Sequence, residues 1–386
     1  MQNYLGYSTT ELEKLSAIMT AREIEQQPEA WLKALASLDE QRDTILAFIQ
    51  PVLQADNGRI IFTGAGTSAF VGHSLAPFVT KQTGKRVESI ATTDIVSNPY
   101  QYFSEDVPTL LISFARSGNS PESVAAVELA EQCLNHCRHL LITCNEQGAL
   151  YRNNQHKDNV LGLLMPAETN DGGFAMTSSF SSMTLSALAV FFLEQGSVLN
   201  KLGFIAENTR ALIPQYVNYV QSIINDDIKR IIYLGSGGLQ GLAQESALKI
   251  LELTAGKVVA TYDSPLGFRH GPKSIVNGDT LVVEFLSNHP YTRLYDLDLL
   301  NELRRDNKAK RVVALTAQAV ETPSNVVQIA GFAEAEDYAL LFPYIVFAQI
   351  FAVYSSLKNG ITTDNPCPTG EVNRVVQGVI IHSFNQ

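Results

Sequence analysis

The chain repeats itself, and the repeat limits what it can fold into. Arg59–Ser68 reads RIIFTGAGTS and Arg230–Leu239 reads RIIYLGSGGL, residue for residue at an offset of 171. The same offset carries Thr109–Ala115 (TLLISFA) onto Thr280–Leu286 (TLVVEFL). A residue or two more carries His139–Thr143 (HLLIT) onto Arg311–Leu315 (RVVAL). Three β-branched runs in one order and at nearly one spacing predict two copies of a single domain. In each copy short apolar runs alternate with helical stretches, the pattern of a parallel sheet with helices on both faces. The expected fold is α/β: two tandem doubly wound parallel-sheet domains, 40–205 and 206–386, behind a helical N-terminal segment, 1–39. Ligands of such sheets bind beyond the carboxyl ends of the strands, so the loops after these runs are where chemistry is expected.

Composition narrows the partners. Of the 386 residues 45% are hydrophobic and 17% charged, which excludes a disordered or fibrous chain. Asp plus Glu outnumber Lys plus Arg, 39 to 28, leaving no electrostatic footprint for nucleic acid. An acidic protein must bind an anionic metabolite through local dipoles. The N-terminus, MQNYLGYSTTELEKL, has neither the basic nor the apolar region of a signal peptide. Four cysteines are too few for a disulfide framework. Cys133, Cys137 and Cys144 lie near His136 and His139, which invites a metal reading. No CxxC spacing is present, however, and Cys144 falls in a strand-like run as a small hydrophobe, so no metal is expected. The most apolar run, Tyr338–Tyr354, is about long enough for a bilayer. Pro343 and Gln349 interrupt it and Glu334, Glu336 and Asp337 precede it. A helix buried in a core or subunit interface is the expectation, with a cytoplasmic location and no membrane partner.

The first copy's loops carry hydroxyls. After IIFT come Gly64, Ala65, Gly66, Thr67 and Ser68; after LLISF come Ala115, Arg116, Ser117, Gly118, Asn119, Ser120, Pro121 and Glu122. Glycines permit close backbone approach and a helix start offers free N–H groups to an anion. The first loop alone also fits half of a dinucleotide fingerprint, with Glu88 as the ribose acid, or a tight structural turn. Two adjacent strand-end loops rich in Ser, Thr and Gly favour a compact phosphomonoester over plain helix caps, with Ser120 as the N-cap of the following helix.

The second copy's loops differ. Gly235-Ser236-Gly237-Gly238 leads into a helical stretch that ends at Gly256. Glu245, Lys249 and Glu252 fall on one stripe of it, which reads either as an active-site array or as a solvated face with an i,i+4 ion pair. His270 sits between Arg269 and Gly271-Pro272 in a Pro/Gly-marked loop, where function concentrates. The hydroxyl loop is replaced by Ser287-Asn288-His289-Pro290-Tyr291. One copy is built to hold an anion and the other supplies carboxylates and imidazole, the division of labour of an enzyme.

The paired GAGTS and ARSGNSPES loops, with ESALKILE and RHGP, resemble the tandem sugar isomerase (SIS) domains of phosphosugar enzymes over residues 40–386. Across the chain, LTAGKVVATYDSPLGFRHGPKS and LSNHPYTRLYDLDLLNEL resemble the AgaS family. That resemblance implies deamination of galactosamine 6-phosphate to tagatose 6-phosphate without cofactor. The alternatives are a tagatose-6-phosphate ketose/aldose isomerase and a non-catalytic phosphosugar sensor. It also implies a phosphorylated amino sugar or ketose as partner. Phosphate falls to Ser68, Ser117 and Ser120, with Thr67, Arg116 and Gly118 adjacent and Gly66 beside them. Glu252 becomes the proton carrier between C1 and C2, with Glu245 and Lys249 in support. His270 becomes the ring-opening histidine, contributed by a neighbouring subunit, so a homo-oligomer is expected. Related aminotransferases carry a cysteine directly after Met1; here Gln2 stands there, and glutamine-dependent transfer is not expected. Arg374 occupies the place of a lysine near the relative's C-terminus, and Arg does not replace Lys as an acid, base or imine former.

Overall fold

A computed structural model describes residues 3–321, 324–376 and 378–385. Met1 and Gln2, on which the contrast with the aminotransferases rests, lie outside the described residues. Two compact units divide the chain. The unit of the first sheet comprises residues 29–171, 176–204 and 370–386. The unit of the second comprises residues up to 28, 172–175 and 205–369. The N-terminal segment is mostly helical, with Thr9–Lys14, Ile18–Glu25 and Gln27–Glu40 following a hairpin of Asn3–Tyr4 and Tyr7–Ser8.

The first sheet has five strands: β1 (Arg59–Thr63), β2 (Arg86–Ser89), β3 (Thr109–Ala115), β4 (Cys137–Thr143) and β5 (Val160–Leu164). Every pairing is parallel, in the order β2-β1-β3-β4-β5. β1 and β3 are buried along their whole length, as strands covered on both faces must be. Helices α1 (Thr67–Thr83), α2 (Pro121–Cys133) and α3 (Ser178–Val190) belong to this unit. Ile61 and Leu111 of the sheet pack with Ala126, Leu129 and Ala130 of α2 in one core cluster.

The second sheet repeats the plan with β6 (Arg230–Gly235), β7 (Val259–Asp263), β8 (Thr280–Phe285), β9 (Arg311–Thr316) and β10 (Val326–Gln328). Its order is β7-β6-β8-β9-β10, again all parallel. Arg59 pairs with Thr109 in one sheet as Arg230 pairs with Thr280 in the other, so the sequence repeat is also a repeat of register. One detail shifts. Arg311 stands opposite Leu281 as Arg138 stands opposite Leu110, which makes Arg138, not His139, its counterpart.

Around this sheet lie α4 (Gly238–Leu253), α5 (Pro290–Asp306) and α6 (Asp337–Lys358). Helix α4 stops at Leu253, three residues short of Gly256. Helix α6 holds the long apolar run and is 94% buried over its most apolar stretch. It packs against α4, and its Gln349 Oε1 accepts from Gln27 Nε2 at 2.8 Å. The cysteines are free thiols. Burial pushes Cys137 and Cys144 up to about 12, His139 Nε2 lies 2.6 Å from Glu131, and no metal-binding cluster forms among the described residues.

Candidate active site

In the order β2-β1-β3-β4-β5 the strands are added to one side of β1 and then to the other, and between β1 and β3 lies the switch point at which such parallel sheets form a crevice. The loops Gly64–Ser68 and Ala115–Ser120 leave the sheet on the two sides of that point, from neighbouring strands. Gly66 turns the chain into α1 with φ +55°, a left-handed conformation that a side chain resists. Its counterpart Gly237 has φ +59° at the start of α4. Thr67 and Ser68 then fall in the buried first turn of α1, with Ser68 Oγ 3.8 Å from the Met176 sulfur. Gly118 has φ +65°. Ser120 is the N-cap residue of α2, as expected, yet its hydroxyl makes no cap hydrogen bond. Glu88 is engaged by Arg59 at 2.5 Å and by Arg86 at 3.1 Å, which takes the carboxylate the dinucleotide reading needs.

The C-terminal stretch comes to the same loops. Arg116 is 6% exposed and donates from Nη2 to the Arg374 carbonyl at 2.7 Å. The Arg374 guanidinium donates to the Asp171 carbonyl. The Asp171 carboxylate in turn accepts from the backbone N–H groups of Thr177, Ser178 and Ser179 at 2.8, 3.1 and 2.9 Å, capping α3. Sequence reasoning had no signal for Asp171.

In the second unit the Glu245–Lys249–Glu252 stripe is not a solvated face. Glu245 and Lys249 are fully buried and Glu252 keeps 24% of its side chain exposed. Packing of α4 against β6, β7 and α6 puts the stripe inside. Lys249 Nζ lies 2.7 Å from Glu252 Oε2 and 3.2 Å from Glu245 Oε1. Burial pulls the Lys249 pKa down, but the two carboxylates outweigh it and leave it above the ordinary value. The array is thus an ammonium held between two carboxylates, one sealed and one partly open. His270 is exposed on the loop after β7, its backbone N–H donating to the Gly267 carbonyl at 2.9 Å.

The second copy's own strand-end loops are filled from within. Ser236 Oγ donates to Asp296 at 2.6 Å, and the Ser287 N–H donates to the same carboxylate at 2.9 Å. The Ser287 hydroxyl and the Asn288 N–H donate to Asp337, the latter at 2.7 Å. Burial raises Asp296 to about 6 against the hydrogen bond from Ser236, and burial with the nearby Asp296 charge holds Glu284 well above the carboxylate range. In copy two the strand-end donors of Ser236, Ser287 and Asn288 are thus taken by the carboxylates of Asp296 and Asp337.

The model of the SIS domain family matches residues 53–193 and 226–346, one stretch per sheet. The D-galactosamine-6-phosphate deaminase AgaS of Escherichia coli is 52% identical over 370 residues, 95% of this chain and 96% of that one. The chain belongs to the SIS domain family and, within it, to AgaS. The solved structure of an Escherichia coli tagatose-6-phosphate ketose/aldose isomerase is 49% identical with a TM-score of 0.89, covering 95% of this chain and 97% of that one. A solved Clostridium novyi structure superposes over the full length of both chains with a TM-score of 0.95 at 44% identity. These AgaS and isomerase relatives match both SIS copies together, so the resemblance extends well beyond the motif-bearing loops.

Proposed function

We propose that this protein deaminates an amino-sugar 6-phosphate, converting D-galactosamine 6-phosphate to D-tagatose 6-phosphate and ammonia in the cytoplasm. The observation that carries the reading is the Glu245–Lys249–Glu252 array in a chain 52% identical to an AgaS deaminase. Its division into domains is read as 40–205 for phosphate binding and 206–386 for the catalytic helix and histidine loop.

The scheme starts at the phosphate. Ser68, Ser117 and Ser120 hold it, with Thr67, Arg116, Gly118 and Gly66 shaping the loops and the start of α1 supplying N–H groups. His270 moves the proton that opens the sugar ring, a task suited to an imidazole near neutral pH. The freed aldehyde acidifies C2–H. Glu252 takes that proton while O1 gains one, giving the enolamine, and the proton returned to C1 leaves a C2 ketimine. Water adds at C2 and ammonia leaves, so the ketose forms with no change of oxidation state overall. Lys249 fixes the Glu252 carboxylate, and Glu245 fixes Lys249. Arg374 closes the tail over the phosphate loops as a binding residue, not as an acid or base.

His270 acts in the site of a second copy of the chain. Leu251, Val259, Tyr262 and Leu266, on α4, β7 and the turn before His270, are all exposed, and this apolar face fits burial in a homodimer.

A second reading, tagatose-6-phosphate ketose/aldose isomerisation, is favoured by the name of the Escherichia coli structure, and the same residues serve when C2 bears a hydroxyl. Ammonia release from galactosamine 6-phosphate, with glucosamine 6-phosphate as the epimer control, separates the two. Release from the galacto sugar alone supports the deaminase and the epimer. No release from either leaves the isomerase, and tight binding of an unchanged sugar points to a sensor. Glu252→Gln is expected to abolish turnover and keep binding; undiminished turnover removes Glu252 from the scheme.

A further inference from the structure

Beyond its own backbone hydrogen bond to Gly267, His270 is held by a hoop. Phe268, two residues before it, is fully buried and packs with Leu299, Leu300 and Leu303 of α5. Arg269 Nη2 lies 2.9 Å from Glu302 Oε2, and Lys273 Nζ contacts Glu302 Oε1. Lys273 also reaches Asp306 at 2.5 Å. The residues on either side of His270-Gly271-Pro272 are therefore fastened to one carboxylate of α5, the helix whose leucines grip Phe268. Between the fastenings Gly271 takes φ +124°, and His270, Gly271 and Pro272 stand exposed at the crest. An exposed ion pair contributes little alone. One carboxylate that draws two cations together across a three-residue crest removes freedom from that crest, and positional freedom is what a proton-transfer group cannot tolerate.

We propose that Glu302 is the positioning residue of His270, setting where the imidazole stands by clamping Arg269 and Lys273. The proposal rests on the reading in which His270 serves the neighbouring subunit's site. Helix α5 then has two duties: its Asp296 ties the loop that begins α4, and its Glu302 ties the histidine loop.

The test is complementation between differently tagged subunits, with hybrids isolated by tandem affinity. Glu302→Gln alone is expected to lower kcat about tenfold to a hundredfold at a KM unchanged within about twofold, since the phosphate loops belong to the other unit. A hybrid of E302Q with E252Q keeps one site with an intact Glu252 and a well-placed His270, and is expected to recover about half of wild-type activity per dimer. A hybrid of E302Q with H270A has no well-placed histidine and is expected to stay at the level of the single variants. The reverse pattern, rescue of H270A but not of E252Q, overturns the proposal, as does full kcat for E302Q. If E252Q and H270A fail to complement each other, the shared-site reading fails. Glu302 is then judged on kinetics, with lost kcat at constant KM sustaining its role and a raised KM overturning it. Should E302Q not fold, Lys273→Met frees one side of the hoop and replaces it in the same hybrids.

Discussion

Lys249 and Glu252 stand 2.7 Å apart, ammonium to carboxylate, on a helix whose third member, Glu245, has no exposure at all. Removing the cation strands a sealed carboxylate. Lys249→Met is expected to cost about 3–5 kcal/mol of stability by urea unfolding, with part of it regained in the Lys249→Met/Glu245→Gln double variant. A loss below about 1 kcal/mol contradicts the buried-array account.

Asp296 sets a pH dependence. Its folded value of about 6 stands above about 3.9 for an unfolded aspartate. The folded state therefore binds the proton more tightly. That contribution is complete below about pH 4 and is lost as pH rises through about 6, changing by up to about 3 kcal/mol. Asp296→Asn cannot titrate, so the stability of wild type relative to this variant should fall across that window. A difference that stays flat from pH 4 to 7 rejects the assignment.

The phosphate loops make a kinetic prediction. Ser117→Ala removes one hydroxyl from a charged ligand, about 1.4 kcal/mol, and should raise KM roughly tenfold while leaving kcat nearly unchanged. A normal KM for the sugar phosphate takes Ser117 out of the phosphate site.

Arg116 makes a structural one. Its hydrogen bond to the Arg374 carbonyl holds the C-terminal stretch, so Arg116→Ala should speed tryptic cleavage after Arg374 by about fivefold to tenfold. Equal rates in both proteins mean that the stretch is held elsewhere.

Much of this was legible in the residues. The repeat at Arg59 and Arg230 specified two parallel sheets, and the hydroxyl-rich loops after β1 and β3 pointed to the crevice that the strand order creates. The 3.6-residue period placed Glu245, Lys249 and Glu252 on one stripe, but a period says which residues share a face, not what covers it. Cover came from α6, nearly a hundred residues on. Glu302 lies inside LSNHPYTRLYDLDLLNEL and Asp337 at the head of the apolar run, yet their partners were hidden for the same reason: each acts on a loop that only folding brings to it.

The filled loops of the second sheet bear on how such a duplication ages. Two equal halves would begin with two equal sites, each stiffened only when a ligand arrives. Once Asp296 and Asp337 supply the anion from inside, that half no longer waits for a ligand to become rigid. Substrate depletion should then loosen the protein unevenly, with heat or proteases opening the Ser117 half first while the half that carries Glu252 stays set.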